Sequence, residues 1–145
     1  MAHSDFKKYL SDNGLEFEVI VTQEPTKTAQ QAADTHNVPV SNIVKSLLVN
    51  IDGSFHLFLV PGDRRLDMNE IKSRFNAGSV RMADADEVKN VTGYSIGGVP
   101  PFGHKSKLST HIIDGFDPSS LLVAAAGSGN SIFKISLTQL VGLIV

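Results

Sequence analysis

Hydrophobic and polar positions along the chain switch between a period near 3.6 and a period of two, so helices and strands are interspersed. Phe6, Tyr9 and Leu10 share one face of a short helix that Ser4 is placed to cap and Gly14 to stop. Leu15, Phe17, Val19 and Val21 then alternate with Glu16, Glu18 and Ile20, the pattern of a half-buried strand. Thr26 or Thr28 can cap a helix through Ala29, Ala32 and Ala33, and Pro39 bars its continuation. Its small alanine face would let it lie close against a sheet.

The densest apolar run follows, Ile43 to Val49, with one ammonium in its middle. If extended, it turns Lys45 the same way as Ile43, Leu47 and Val49, and Val44, Ser46, Leu48 and Asn50 the other way. Neither face is plainly wet. A charge taken into apolar surroundings costs several kcal/mol or loses its proton. Lys45 must therefore snorkel at a strand end, meet a counter-charge, or open into a cavity that receives an anionic ligand.

Asp52-Gly53 is a two-residue hairpin signal, and Phe55, Leu57 and Leu59 form the return strand to Pro61-Gly62. After the polar Asp63-Arg64-Arg65 turn, Asp67 and Glu70 open a helix over Met68, Ile71, Lys72 and Phe75 that Asn76-Ala77-Gly78 ends. Val80 to Met82 fits a short strand. Asp84 and Glu87 repeat the capping pattern for a helix from Ala85 to Val91, closed by Gly93. Thr110–Ile113, Leu121–Ala126 and Ile132–Ile135 read as strands, the last two joined by a turn at Gly127-Ser128-Gly129-Asn130. Thr138 is placed to cap a final helix, and Leu143-Ile144-Val145 ends the sequence. Strands in hairpin-like pairs, without regular strand–helix crossovers, predict an α+β domain with a mixed, barrel-like curved sheet and flanking short helices.

Between these elements, Gly97-Gly98-Val99-Pro100-Pro101-Phe102-Gly103-His104 cannot be regular structure. Such a loop either makes a rigid corner or brings bare main chain, with inward-turned glycine amides, close to a ligand.

Composition narrows the function more than the fold. The 145 residues are 41% hydrophobic and 19% charged, which fits one globular domain spanning 1–145. The absence of cysteine excludes disulfides, thiolate metal sites and cysteine nucleophiles. No apolar run approaches the ~18 residues of a membrane span, and the first residues lack a signal core, so a cytoplasmic protein is expected. A net charge of −2 argues against a broad duplex-binding surface, though not against contact with one short nucleic-acid end.

The sequence has no phosphate-binding Gly-Lys-Ser loop, no complete dinucleotide fingerprint and no zincin motif. Ser131-Ile132-Phe133-Lys134 has the spacing of a serine–lysine pair but falls in a strand, where that chemistry is not built. Asn90-Val91-Thr92 is a glycosylation triplet without a secretory context. His3, His36, His56, His104 and His111 show no ligand spacing, and no metal or cofactor is expected. His104 and His111 flank or follow the Gly/Pro loop and are candidate pocket members.

Several segments in order then carry a resemblance. They are Thr28-Ala29 with Ala32-Ala33, Ile43 to Leu47, Leu59 to Asp63 with Arg65 and Asp67, Val80 to Ala83, Glu87-Val88, Thr92-Gly93, Gly97 to Gly103, and Ala126 to Ser128. With this order and spacing, over nearly its whole length, the chain resembles the YbaK/ProX group of aminoacyl-tRNA deacylases. These are free-standing relatives of the editing domain inserted in bacterial prolyl-tRNA synthetases. The sharpest parts are the lysine in an apolar strand and the Gly-x-x-x-Pro segment from Gly97 to Pro101.

The resemblance implies hydrolysis of the ester joining a wrong amino acid to the 3′ end of a tRNA, most simply tRNA-Pro. It implies Lys45 as a cationic anchor near the terminal nucleotide. It also places Gly97, Gly98 and Pro101 in the loop that polarises the ester carbonyl and orients water. Ser46, Val99, Gly127, Ser128 and His111 are the expected pocket residues. Partners implied are the aminoacyl-tRNA acceptor end and, for delivery, prolyl-tRNA synthetase or an elongation factor; no membrane partner is implied. Ser46 follows the lysine as in many YbaK-like members, where asparagine would point to the alanine-specific branch. The stretch after Gly127 lacks the acid carried by some cysteine-specific members. A small amino acid of the cysteine or alanine type is the expected cargo. The same pocket would also serve a non-catalytic nucleotide- or aminoacyl-binding module, or a synthetase accessory.

Overall fold

The computed structural model describes residues 2–23, 26 and 28–144. Within these, five α-helices flank a mixed sheet of seven strands. The order is α1 (Ala2–Asp12), β1 (Ile20–Val21), α2 (Ala29–His36), β2 (Ile43–Ile51), β3 (Ser54–Pro61), α3 (Met68–Arg74), β4 (Val80–Met82), α4 (Ala85–Thr92), β5 (Ser109–Ile112), β6 (Leu121–Ala125), β7 (Ser131–Ser136) and α5 (Leu137–Ile144).

The sheet runs β1-β7-β6-β2-β3-β5, with β4 added to β2. Pairs β2–β6 and β3–β5 are parallel and the others antiparallel. The mixed α+β architecture is the one the pattern predicts. The sheet remains open, with β1 and β5 at its ends.

β2 and β3 form the centre because both of their faces are covered. Val44, Leu48, Leu57 and Leu59 join the larger apolar cluster with Phe6, Phe102 and Phe133; Val49, Ile51, Phe58 and Val60 join a second one with Ile71. Full burial of such a side chain contributes roughly 1.5–3 kcal/mol. That is why this hairpin has no polar alternation to announce a wet face.

Several local signals act as written. Thr28, not Thr26, caps α2 by accepting the Gln31 N–H. Asp84 and Glu87 complete a reciprocal capping box on α4. Arg81 clasps Glu87 through two 2.8 Å contacts, which with the Asp84 N–H draw the Glu87 carboxyl down to about 2. At the far end of α4, the buried Thr92 hydroxyl donates to the Val88 carbonyl and accepts the Tyr94 N–H, fixing the entry to the Gly/Pro loop.

Others differ. α1 begins at Ala2, so Ser4 lies inside the helix and does not cap it. Only Ile20 and Val21 of the first expected strand pair with a neighbour. Leu15, Phe17 and Val19 do turn toward the larger cluster, but among the described residues no strand lies beside them to make a ladder. α5 starts at Leu137 and is capped by Ser136, whose hydroxyl accepts the Gln139 N–H while the Gln139 side chain accepts the Ser136 N–H. Thr138 is thus within the helix. Val145 lies outside the described residues.

Candidate functional site

The Asp52-Gly53 turn sets the β2–β3 register from Ile51↔Ser54 to Val44↔Pro61, and Gly62 N–H extends it to the Ile43 carbonyl at 2.8 Å. In an antiparallel ladder, main-chain groups point alternately to opposite sides. Ile43, Lys45, Leu47, Val49 and Ile51 therefore turn theirs to β3, and Val44, Ser46, Leu48 and Asn50 turn theirs to the other edge.

That other edge is covered in two separate pieces. β6 pairs with Ile43 and Val44, and β4 pairs with Val49 to Ile51. The Ala83 N–H reaches the Leu48 carbonyl at 3.0 Å. Ser46 lies between the two pieces, and no strand pairs with its main chain among the described residues.

A cavity of about 250 Å³ opens at this break. One wall is β2 from Ile43 to Leu47, and β6 supplies Val123 to Ala125. The remainder comes from Ser131 and Ile132 of β7, Gly97 and Val99 of the Gly/Pro loop, Ser128 and Gly129 of the β6–β7 turn, and Thr26, Thr28 and Ala29 beside α2. Small side chains leave the room: Ala29, Ala124 and Ala125 stand where larger residues would fill it. The volume falls a little below the ~300–1,000 Å³ of pockets for drug-sized ligands, so it has room for about one aminoacyl group.

Lys45 is the only charged side chain among the described residues of this lining. It is half-buried, and its ammonium donates to the Arg64 carbonyl in the turn after β3. Burial pushes its pKa below the ordinary lysine value; the nearby Arg65 adds to that shift and Asp63 opposes it. Lys45 both lines the cavity and lies near a counter-charge, Asp63, while its ammonium is tethered to a main-chain carbonyl. Its ammonium is held by a neutral carbonyl and keeps capacity for an anion or a developing negative charge.

Ser46 lines the same cavity, and its buried hydroxyl meets no hydrogen-bond partner among the described residues. The hydroxyls opposite are engaged. Ser128 Oγ lies 2.8 Å from Asn130 Oδ1 and 2.6 Å from Ser131 Oγ, and the Ser128 N–H donates to Ser131 Oγ at 3.2 Å.

The Gly/Pro loop approaches from the third side. Gly97 has φ 85°, a left-handed conformation suited to glycine, and no acceptor among the described residues meets its N–H. Gly98 differs from the sequence expectation. Its N–H donates to the Ser95 carbonyl at 2.9 Å, so that amide is closed off from a ligand. Its carbonyl accepts the Gly127 N–H at 2.9 Å and ties the loop to the β6–β7 turn.

Of the expected site residues, Lys45, Ser46, Gly97, Val99 and Ser128 come together on the cavity wall. Gly98 and Gly127 form the joint behind it. Pro101 is buried in the same loop, off the described lining. His104 is likewise off the lining; its Nε2 lies 2.6 Å from the Pro100 carbonyl and braces the loop.

His111 is not brought to the cavity. The β3–β5 register sets it beside Phe58, with β3 between it and β2. There its Nε2 lies 3.0 Å from His56 Nδ1, and its ring stacks on Phe58 and meets Phe75 edge-on. Sequence reasoning put it near the Gly/Pro loop by chain order alone. It also overlooked Ala124, Ala125 and Ser131 as wall residues, although the run of three alanines from 124 to 126 was a visible sign of space.

The histidine pair carries a prediction of its own. Burial lowers the pKa of both rings, and for His111 the neighbouring His56 and Arg74 lower it further. The unfolded chain then binds more protons than the folded one as pH falls through the ordinary histidine value of 6.5, and stability drops from there downward. His111→Phe, stacked in the same aromatic setting, should flatten this pH dependence of the melting temperature.

The site is thus a small pocket in an α+β domain, with one half-buried cation and otherwise uncharged side chains among the described residues of its lining. Residues 23–143 match the family described as the aminoacyl-tRNA editing domain, and the chain belongs to that family. It is 40% identical over 79 residues to a proline–tRNA ligase of Staphylococcus haemolyticus, which is 54% of this chain and 14% of that protein. It is 36% identical over 97 residues to a proline–tRNA ligase of Macrococcus caseolyticus, 67% of this chain and 16% of that protein. The matches thus span about one-seventh of these synthetases. A crystal structure of a candidate trans-editing enzyme for prolyl-tRNA synthetase superposes with a TM-score of 0.91 at 30% identity, covering 99% of this chain and 91% of the other. The chain is therefore an aminoacyl-tRNA editing domain with the fold of that protein. Among its described residues no helix is long and apolar enough to cross a membrane.

Proposed function

We propose that this protein hydrolyses the ester of a mischarged aminoacyl-tRNA in trans, removing a small amino acid of the cysteine or alanine type, with tRNA-Pro as the principal carrier. The observation that carries this reading is a cavity of about 250 Å³ holding a half-buried, carbonyl-tethered ammonium.

An aminoacyl ester is already activated, so alignment and charge stabilisation can supply much of the rate without a covalent nucleophile. Water adds to the ester carbonyl carbon and the bond from that carbon to the ribose 3′ oxygen breaks. A proton from the water ends on the leaving 3′ oxygen. Free amino acid and a tRNA with a 3′ hydroxyl result. Lys45 anchors the terminal nucleotide and offsets developing negative charge, and the Gly97 N–H, which meets no acceptor among the described residues, is an available donor from the loop. Gly98, Gly127 and Pro101 hold the loop against the β6–β7 turn, and Ser46, Val99 and Ser128 bound the aminoacyl group. Lys45 is given a positioning and charge-stabilising role because its ammonium is tethered to the Arg64 carbonyl, although burial lowers its pKa.

A net charge of −2 leaves little basic surface for the tRNA body. The acceptor end is then the main contact, with a synthetase or elongation factor delivering it in the cytoplasm.

The test is a panel of tRNAs bearing cysteine, alanine, serine or proline on a constant tRNA body. Release of the small non-cognate residues above the buffer rate supports the reading. Tight binding of charged tRNA without turnover would instead identify a binding module or synthetase accessory.

A further inference from the structure

We infer that the esterified amino acid docks on the open edge of β2 as a one-residue strand, its α-ammonium donating to the Ser46 carbonyl and its own carbonyl accepting the Ser46 N–H. The inference rests on the editing reading and specifies how that site recognises its substrate.

Ser46 is the position between the β6 and β4 contacts whose main-chain donor and acceptor both face away from β3. Buried main-chain groups are nearly always paired. Here they border a cavity sized for one residue. An aminoacyl group carries a nitrogen donor and a carbonyl acceptor with the spacing of a strand residue. Of the two strand polarities, only the antiparallel one lets a single residue exchange both bonds with Ser46.

That polarity has two consequences. First, the chain direction of the docked residue opposes β2, so the ester and ribose lie toward Lys45 and the amino group toward Leu47. The cation is thereby at the nucleotide side of the ester. The α-ammonium receives a carbonyl oxygen at a site whose described lining holds no carboxylate.

Second, residues opposite each other in a ladder project side chains to the same face. The side chain of a docked L-residue falls beside the Ser46 hydroxyl, the buried one without a partner. A serine or cysteine side chain supplies that partner and an alanine side chain does not. A D-residue turns its side chain to the opposite face. The favoured substrate is thus an L-aminoacyl ester whose small side chain hydrogen-bonds, with alanine accepted more weakly.

The probe is 3′-amino-3′-deoxyadenosine acylated with L-serine, whose amide resists hydrolysis, added to ¹⁵N-labelled protein. The Ser46 amide should shift downfield and its hydrogen exchange slow by roughly tenfold or more on binding. The D-seryl and L-alanyl probes should bind roughly tenfold more weakly, as expected for one lost hydrogen bond in a buried site. Ser46→Ala should erase the seryl advantage over alanyl. Binding that moves Gly97 or Ser128 resonances but leaves the Ser46 amide untouched overturns the docking and leaves the proposed hydrolysis standing. Equal affinity for the L- and D-seryl probes likewise overturns it. No binding of any probe, together with no release from any charged tRNA, overturns the proposed function itself.

Discussion

Lys45→Met should lower deacylation about 10²–10³-fold, the range seen when one preorganised charge-stabilising donor is removed. It should leave the melting temperature at or above that of the wild type. The two halves of this expectation come from one feature. Lys45 is held in a half-buried setting by a neutral carbonyl, with Arg65 close enough to disfavour its charge. The folded state thus holds the protonated form less favourably than the unfolded chain does. Because the folded pKa is lowered, the cost is fully present below that pKa and is relieved as pH rises toward the ordinary value of 10.5. Wild-type stability should rise across that alkaline window, and the methionine variant should not follow it. Lys45→Arg should not rescue activity, since a planar guanidinium is bulkier and does not reproduce a compact point charge in so small a cavity. Single-turnover deacylation beside thermal melts from pH 7 to 10 checks both halves. Destabilisation with retained turnover would refute the assignment.

The same residue shows how far the sequence alone could be read. A lysine within Ile43 to Val49 posed a physical problem with three solutions, and the resemblance to editing domains favoured one. The central hairpin was legible because its turn and two apolar runs are local signals. The helix starts at Thr28, Asp67 and Asp84 were legible for the same reason. Ser4 and Thr138 misled because Ala2 and Ser136 extend or cap their helices through neighbours of equal local merit. The parallel pairings of β2 with β6 and of β3 with β5 join segments far apart in sequence. Nothing in a periodicity encodes them. Those pairings create the break at Ser46 and carry His111 away from the cavity, so the errors at the site follow from the one level of structure that the pattern does not contain.

Gly98→Ala should remove nearly all activity and also destabilise the fold by about 1–3 kcal/mol, the usual cost of forcing atoms into a packed site. A β-carbon at this position would stand 2.7 Å from Ser128 Cα, 2.9 Å from the Ser128 nitrogen and 3.0 Å from the Gly127 carbonyl carbon. All three are main-chain atoms, so no side chain can swing aside. Relief requires the Gly/Pro loop and the β6–β7 turn to part, which breaks the Gly127 N–H bond to the Gly98 carbonyl. Gly97 and Val99 would then leave the wall that Ser128 completes from the other side. Gly97→Ala supplies the contrast. A β-carbon there meets nothing within 4 Å, and the strain is confined to a φ of 85°. That change should cost about 1–2 kcal/mol in backbone conformation while keeping the two loops joined, and it should retain measurable deacylation. Chemical denaturation and mischarged-tRNA hydrolysis on the two variants separate the effects. If Gly98→Ala kept activity while Gly97→Ala lost it, the joint between the two loops would not be what shapes the site.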